Sequence, residues 1–205
     1  MTTRALSGAQ GRPPITSHAA IEEAAFTLFE TRGFESTTID DIAAHLEIGR
    51  RTLFRYYRSK NDILWGQFDE SLRSFEANFA AIHADVPLPT AIRDALIEFN
   101  RLDASAVPQH RRRIRFLLQT PALLAHSELR YAAWRDVVAR FVAARRGEAP
   151  TDLVPSLAGR VSLAVALSAY EQWLSRDSAQ LEDLISEAAD GLRLVFSIED
   201  IRGDV

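Results

Sequence analysis

The chain has 205 residues, of which 47% are apolar and 25% are charged, so it is long enough to bury a hydrophobic core and falls between one and two domains. It contains no cysteine, which excludes a disulfide framework and a cysteine-based zinc site and suits a reducing cytoplasm. The first fifteen residues lack the apolar core of a signal peptide. A membrane span needs about 20 apolar residues, and no apolar run approaches that length. A cytoplasmic protein is therefore expected.

The net charge of −4 hides an uneven distribution of charge along the chain. Up to Trp65, eight cations balance eight anions, whereas the rest of the chain carries sixteen cations and twenty anions. Between Ile48 and Asn61 there is no anion, and the five cations are Arg50, Arg51, Arg55, Arg58 and Lys60. Because a polyanion responds to local charge, the acidic total does not exclude nucleic acid as a partner.

Residues 1–15 are expected to form a flexible basic arm, because no hydrophobic periodicity runs through them. The segment Gly11-Arg12-Pro13-Pro14 resembles a hook in which a proline-held arginine, Arg12, enters a narrow A/T-rich minor groove. The same composition is typical of a disordered tail. The sequence leaves both interpretations open.

A helix-turn-helix domain of three helices is predicted over residues 16–62. The first helix spans Ser17–Thr31, and Gly33 ends it at a position that favours left-handed dihedral angles, after which Phe34 returns to the core. The apolar face of this helix comprises Ile21, Ala24, Ala25, Leu28 and Phe29.

The second helix is predicted from a capping signal. Thr38 and Asp41 have the spacing of an N-cap residue and an acidic N3 residue, which together satisfy free amide groups at a helix start. The turn follows at residues 47–49, and the third helix begins at Arg50. The apolar face of the second helix comprises Ile39, Ile42, Ala43 and Leu46.

The rest of the chain is predicted to be helical as well. Ser59 and Asp62 repeat the capping signal and open a long amphipathic helix that ends before Pro87 and connects the two halves. No stretch alternates with the period of a strand, and further helices follow at 90–102, 108–119, 127–146, 154–175 and 178–198. The fold class is therefore all-α, with the second domain over residues 63–205.

The third helix carries a candidate DNA-reading surface. At about 100° per residue, Leu53 and Tyr57 share its inward face, while the outward face carries Arg51, Arg55 and Arg58. Arg50 and Arg51 stand at the amino end, where a guanidinium group can donate two parallel hydrogen bonds to guanine. The side chains placed for phosphates, which position a protein without reading sequence, are Thr37, Thr38, Tyr56 and Lys60. The alternative is a small helical bundle with a solvated basic face.

The run TTIDDIAAHLEIGRRTLFRYYRSKNDIL resembles the DNA-binding signature of the TetR (tetracycline-repressor) family, in which TT-x-x-x-IA precedes a reading helix that ends in LY-x-YF and then SK. The resemblance covers Ile21–Leu64 and implies an all-helical homodimer whose variable carboxy-terminal domain binds a small molecule. It also implies that the DNA contacts are Thr38, Arg50, Arg51, Thr52, Arg55, Tyr56 and Lys60. Phe54 is also predicted to contact DNA, although it lacks the tyrosine hydroxyl that commonly touches the DNA backbone at this position, and we expect Arg55 or Arg58 to replace that hydroxyl contact.

Part of the same run, IGRRTLFRYYRSKNDI, and three further segments, GRPPITSH, LRYAAWRDVVARF and YEQWL, resemble the TetR-family regulators that accompany mycofactocin biosynthesis genes in actinobacteria. From this resemblance we expect a ligand-responsive repressor that binds a palindromic operator in double-stranded DNA and controls mycofactocin-associated genes. Repression rather than activation is what the family implies.

The carboxy-terminal half carries a candidate effector site. Eight residues have two possible roles: they line an apolar ligand pocket, or they are ordinary core residues. They are Phe99, Phe116, Thr120, Tyr131, Trp134, Phe141, Tyr170 and Trp173. Elongated apolar effectors such as fatty acyl compounds suit this composition. The run Arg111, Arg112 and Arg113 either holds a phosphate-bearing head group or forms a solvated face.

The last helix has an apolar stripe with two possible partners. It packs either against its two-fold mate in a four-helix dimer bundle or against an intramolecular core. The stripe comprises Leu181, Leu184, Ile185, Ala188, Leu192 and Val195.

An enzyme is not expected. The five histidines are scattered, and the chain has no HExxH motif, no glycine-rich phosphate loop and no Ser-His-Asp set of recognisable spacing. No metal or cofactor is predicted apart from the small-molecule effector. The remaining alternative is a non-enzymatic helical protein-protein adaptor, which would have no use for the reading arginines.

Overall fold

The computed structural model describes residues 16–195, but not the side chains of Leu124, Ala125 and Arg193. Regular structure is helical throughout the described residues, which confirms the all-α prediction. The chain divides into two compact units after Gly66, a little beyond the boundary expected at residue 62. The expected arm with Arg12, and residues 196–198 of the last predicted helix, lie outside the described residues.

The first unit contains four helices over its described residues: α1 (His18–Arg32), α2 (Ile39–His45), α3 (Arg50–Phe54) and α4 (Lys60–Trp65). The Ser17 side chain caps α1 by accepting a hydrogen bond from the Ala20 amide at 3.2 Å. Gly33 follows α1 with a φ of 84° and a ψ of 151°, a conformation that glycine adopts far more readily than other residues. The predicted stop at Gly33 is confirmed.

The predicted apolar faces meet in the core of the first unit. Phe34 packs there against Phe29, with ring centroids 5.0 Å apart. The large side chains fully shielded from solvent are Ile21, Phe26, Ile42, Leu53, Ile63 and Leu64. Leu53 therefore fixes α3 to the core by one face and leaves its remaining surface to solvent.

The prediction of one long helix from Ser59 onward is wrong, because this segment forms two helices, α4 and α5 (Phe68–Ala81). Gly66 lies at the break with a φ of 54° and a ψ of −127°, which ends a helix and which a residue with a Cβ rarely adopts. Periodicity could not reveal the break, since Leu64, Phe68 and Leu72 keep a spacing of four residues across it.

The second unit contains α5 and five further described helices: α6 (Leu88–Phe99), α7 (Val107–Gln119), α8 (Pro121–Arg146), α9 (Leu153–Ser175) and α10 (Leu181–Val195). Helix α8 begins at Pro121 rather than at the predicted Ser127. Proline fits the first turn of a helix, where the amide hydrogen that it lacks would have no helical partner.

Helix α9 has 23 residues and is the one described helix long and apolar enough, by length and composition alone, to cross a membrane. Such a helix was not expected from the sequence. It packs along α8 and α10 and buries Leu163, Ala166 and Trp173 in the core of the second unit. A core helix passes the same test of length and composition, so the observation is weak support for a span.

Candidate nucleic-acid interface

A reciprocal capping box fixes the start of α2, as predicted. Thr38 Oγ1 accepts a hydrogen bond from the Asp41 amide at 3.1 Å, and Asp41 Oδ2 accepts one from the Thr38 amide at 2.8 Å. The hydrogen bonds from the Thr38 side chain and backbone hold the pKa of Asp41 below its usual range. Glu47 then adopts a φ of 54° in the turn, and α3 begins at Arg50.

Four side chains in and just after α3 face solvent: Arg50, Arg51, Arg55 and Arg58. Arg50 pairs with Asp40 at 2.9 Å, but the two side chains are 62% and 60% exposed. An exposed ion pair of this kind is worth about 0–1 kcal/mol, so a phosphate can displace Asp40. Within the described residues, no hydrogen bond or ion pair engages the side chains of the other three arginines.

Helix α3 is shorter than the reading helix expected from the sequence. It ends at Phe54, so that Arg55 caps it and Arg58 lies in the following bend. The prediction that Arg51, Arg55 and Arg58 form one helical face is therefore wrong, although all three are exposed. The two residues predicted to point inward are buried: Leu53 and Tyr57.

Three further predicted contact residues lie at the surface. Thr38 is exposed, Thr52 is partly exposed, and the Phe54 ring is 40% exposed. The guanidinium carbon of Arg50 lies 5.3 Å from the centroid of that ring, within the range of a cation–π contact. Phe54 thus offers an apolar surface where the family pattern has a hydroxyl.

Thr37 does not fit the expected phosphate contact. It is fully buried, and its hydroxyl donates to the carbonyl oxygens of Gly33 at 2.8 Å and Leu28 at 3.3 Å. The prediction for Thr37 is therefore wrong, because the hydroxyl closes the turn between α1 and α2 and cannot reach a ligand outside the unit.

Tyr56 and Lys60 also direct their donors into the first unit. The Tyr56 hydroxyl donates to the Thr16 carbonyl oxygen at 2.8 Å, and the Lys60 ammonium group donates to the turn after α1. In the DNA-free protein these hydrogen bonds use the donors that the expected phosphate contacts would need, so both contacts stay predictions.

The polar anchors on the inner side of this interface were missed by sequence reasoning. The buried Tyr57 hydroxyl donates to Glu22 Oε1 at 2.8 Å. The His18 ring makes edge-to-face contacts with Tyr56 and Tyr57, with centroids 4.9 and 5.1 Å apart. A glutamate one position from the apolar stripe of α1 carries no sequence signal that it is buried.

In the second unit, aromatic residues predicted to line a ligand pocket pack in the core. Trp134 stacks on Phe75 with centroids 5.2 Å apart and meets the edge of Phe99 at 6.0 Å, while Phe141 stacks on Phe79 at 4.4 Å. Phe99, Trp134 and Phe141 thus pack as core residues here, and their role in a ligand pocket stays a prediction. Two more of the predicted lining residues, both partly buried, lie at the end of α7: Phe116 and Thr120.

A hydrogen-bonded chain of polar side chains runs through the second unit beside Trp173. Asn100 Nδ2 donates to the Leu96 carbonyl oxygen at 2.7 Å, and Asn100 Oδ1 accepts from the Tyr170 hydroxyl at 2.6 Å. The Tyr170 oxygen in turn lies 3.0 Å from His110 Nε2, which must donate because the tyrosine hydrogen is already used.

The environment of this chain keeps its members uncharged. Burial, with a smaller contribution from the charge of Arg113, lowers the pKa of His110 to about 3. Burial raises the pKa of Tyr170 and of Tyr131. Of Asn100, Tyr170 and His110, only Tyr170 was predicted, because a single Asn or His gives no sequence sign that it joins a hydrogen-bonded chain.

Arg111 is not a free head-group ligand. Its guanidinium group lies 4.1 Å from the Trp173 ring centroid and donates to the carbonyl oxygens of Trp173, Arg176 and Asp177 at 2.5, 3.1 and 3.2 Å. It therefore caps the carboxyl end of α9. Neither of the two interpretations offered for the arginine run fits this residue.

The apolar stripe of α10 packs mainly inside its own unit. Leu181, Leu184 and Ile185 are buried in the core, whereas Val195 is exposed. A groove of about 900 Å³ lies between α9 and α10. Its lining includes Ser168, Gln172, Arg176, Glu187, Ala188, Gly191 and Leu194.

A capped second helix, a three-residue turn and a short third helix bearing exposed arginines define a helix-turn-helix protein that binds DNA. The chain belongs to the TetR family of bacterial regulatory proteins, whose amino-terminal model matches residues 21–64. A second model, described as the MftR C-terminal domain, matches residues 86–197. It is therefore a transcriptional regulator of a non-enzymatic family whose members bind operator DNA and small-molecule effectors.

The chain is similar to several members of this family over most of its length. It is 44% identical to a Mycobacterium tuberculosis protein named as the mycofactocin biosynthesis transcriptional regulator MftR, over 88% of this chain and 91% of that protein. Its fold matches a TetR-family regulator of Syntrophomonas wolfei at a TM-score of 0.62 and 16% identity, over 87% of this chain and 93% of that one. The Thermus thermophilus repressor FadR in complex with lauroyl-CoA matches at a TM-score of 0.53 and 21% identity, over 87% and 93%.

Proposed function

We propose that the chain is a cytoplasmic, ligand-responsive repressor that binds a palindromic operator as a homodimer and controls mycofactocin-associated genes. The observation that carries the proposal is the set of exposed arginines in and just after α3, which is presented by a capped helix-turn-helix. The similarity to MftR supports the choice of target genes.

Within this proposal, the DNA contacts divide by chemistry. Arg50 and Arg51 at the amino end of α3 suit guanine, and the exposed Phe54 ring suits a thymine methyl group. Thr52, Arg55 and Arg58 suit backbone phosphates. Thr38 suits one as well if its hydroxyl, which donates to Asp41 Oδ2 at 2.5 Å, turns to the DNA. Arg12, outside the described residues, stays a candidate for the minor groove.

The proposal is tested by selecting bound fragments from the intergenic DNA upstream of the chain's own gene. A repressor of this class retains a palindromic sequence in excess mixed competitor DNA, and the Arg50→Ala/Arg51→Ala double variant loses that preference. Wild-type protein that binds no sequence above competitor at moderate salt would refute the proposal.

The dimer is proposed to form across the groove between α9 and α10, whose lining includes Leu184 and Ala188 of the α10 stripe. Leu194 is 84% exposed beside the groove, and Leu153, Val154 and Leu157 expose apolar surface on α9. Such a surface on two neighbouring helices suits an isologous contact, in which the same patch serves both subunits.

The effector is proposed to be an elongated apolar compound such as a fatty acyl group, bound in the second unit with its polar end near Tyr170 and His110. The apolar core of the second unit suits an acyl chain, and the Tyr170–His110 pair, which burial keeps uncharged, suits the neutral thioester group beside that chain. The FadR complex supports the idea that this fold accommodates an acyl thioester. Lauroyl-CoA should release the operator, whereas free coenzyme A should not; equal responses to both would contradict the acyl proposal.

A further inference from the structure

Lys60 is the single lysine of the chain, and all three of its ammonium hydrogens have partners in the first unit. Nζ donates to the carbonyl oxygens of Phe34, Glu35 and Thr37 at 2.8, 3.1 and 3.1 Å. It also lies 4.4 Å from the Phe34 ring centroid, which adds a cation–π contact. The charge is therefore satisfied by one short turn.

These three carbonyls belong to the turn that joins α1 to α2. The Thr37 hydroxyl stabilises the same turn by donating to the Gly33 carbonyl oxygen at 2.8 Å. The turn runs directly into Thr38, the N-cap of α2. Lys60 itself is the first residue of α4, whose start is capped by Ser59 through a hydrogen bond from the Asp62 amide.

We infer that Lys60 is a positioning residue for DNA reading. Its hydrogen bonds hold α4 against the turn before α2, and this contact sets the orientation of α2 and of the α3 helix that follows it. This inference rests on the proposed DNA-binding function and changes the role of Lys60 from a phosphate ligand to an internal anchor. The reading arginines then depend on a residue that does not touch DNA.

The geometry also explains why lysine occupies this position. An ammonium group presents three hydrogens around one atom and so satisfies three carbonyls that converge on a point. A guanidinium group spreads its donors over a plane and suits the fork of a phosphate or carboxylate. Replacement by arginine would therefore serve a phosphate contact well and an internal anchor poorly.

The test measures binding of a fluorescein-labelled duplex carrying the selected operator, and of a mixed-sequence duplex, over a series of KCl concentrations. The variants are Lys60→Met and Lys60→Arg, with Arg58→Met as the control for an exposed cation. An anchor predicts that both Lys60 variants weaken operator binding by on the order of tenfold and lower the operator-to-mixed ratio. It also predicts that they keep the wild-type dependence of log K on log salt.

The control should behave in the opposite way. Arg58→Met should flatten the salt slope by about one phosphate contact, with little change in the operator-to-mixed ratio. If Lys60→Met flattened the slope in the same way while Lys60→Arg retained wild-type binding, Lys60 would be a phosphate ligand and the inference would be wrong. Wild-type operator binding by both Lys60 variants would also overturn it.

Hydrogen exchange on the free protein separates this inference from the proposed function. In Lys60→Met, the amides of Thr38 and Asp41 should exchange faster because the capping box loses its support, while α8 and α9 keep their protection. This result is expected even if no operator is found. Unchanged exchange at both amides would refute the anchor whatever the protein does with DNA.

Discussion

Gly159 of α9 packs directly on the backbone of α8, where a Cβ at this position would come within 2.5 Å of the carbonyl oxygen of Arg135. Backbone cannot move aside as a flexible side chain can. Gly159→Ala should therefore lower the free energy of unfolding by about 1–3 kcal/mol, although alanine is the better helix former.

Urea denaturation at one protein concentration measures this change. Ala164→Gly, at an exposed position of the same helix, reports the effect of helix propensity alone and should cost about 1 kcal/mol. If Gly159→Ala raised the stability by the amount that Ala164→Gly lowers it, the close approach of the two helices would be disproved.

The elements of the first unit were predictable because their signals are local. The capping box at Thr38, the stop at Gly33 and the start of α3 at Arg50 each depend on residues within one turn of each other. The break at Gly66 was missed because a helical pattern tolerates a single glycine at a cost of about 1 kcal/mol, so the residue alone does not predict a break.

The partners of the site residues were not predictable. Lys60 and the carbonyl oxygen of Phe34 are separated by 26 residues, and Tyr170 and Asn100 by 70. The sequence shows that such side chains are polar, but the packing of the helices decides whether each hydroxyl or ammonium group makes its hydrogen bonds inside the protein. The exposed arginines needed no such partner, so their exposure could be predicted.

Arg51 tests the DNA-reading surface most directly. Arg51→Ala should weaken operator binding by about 1–3 kcal/mol and relax the preference at one base position, because one bidentate contact to guanine is lost. Competition binding with operators changed at single positions measures both effects. Arg115→Ala, an exposed arginine of the second unit, should leave operator affinity unchanged; an equal loss in that variant would show that only overall charge matters.

Gly66 should tolerate substitution poorly because of its backbone conformation. At a φ of 54° and a ψ of −127°, a Cβ clashes with the adjacent peptide, so Gly66→Ala should destabilise the protein by about 1–3 kcal/mol. Thermal unfolding followed by circular dichroism measures the loss. Gly49→Ala is the matched control, since Gly49 has a φ of −71° and its Cβ would meet nothing closer than 4.0 Å. Equal behaviour of the two variants would contradict the observed break.

His110 should make stability depend on pH in the acidic range. Because its pKa is lowered from 6.5 to about 3 in the folded protein, the unfolded chain takes up a proton between these values and the folded protein does not. Stability is therefore lost as the pH falls from about 6.5 towards 3, and the loss at pH 5 should be about 2 kcal/mol.

His110→Gln keeps a donor for the Tyr170 hydroxyl but removes the titrating group, so its stability should change less between pH 7 and pH 5. Urea denaturation at the two pH values measures the difference. His83→Gln removes an exposed histidine instead and serves as the control. A pH response of His110→Gln as steep as that of wild type would show that other groups account for it.

Leu194 tests the face proposed for the dimer. The side chain is 84% exposed beside the groove between α9 and α10, so a second copy of the chain would bury it, and Leu194→Glu would then place a charge in an apolar contact. Light scattering should give a dimer mass for wild type and a monomer mass for the variant. Leu129→Glu changes an equally apolar and 75% exposed residue of α8 outside the groove, and it should remain dimeric. If Leu129→Glu dissociated and Leu194→Glu did not, the two-fold contact would involve α8, and operator half-sites would be spaced by a different surface of the second unit.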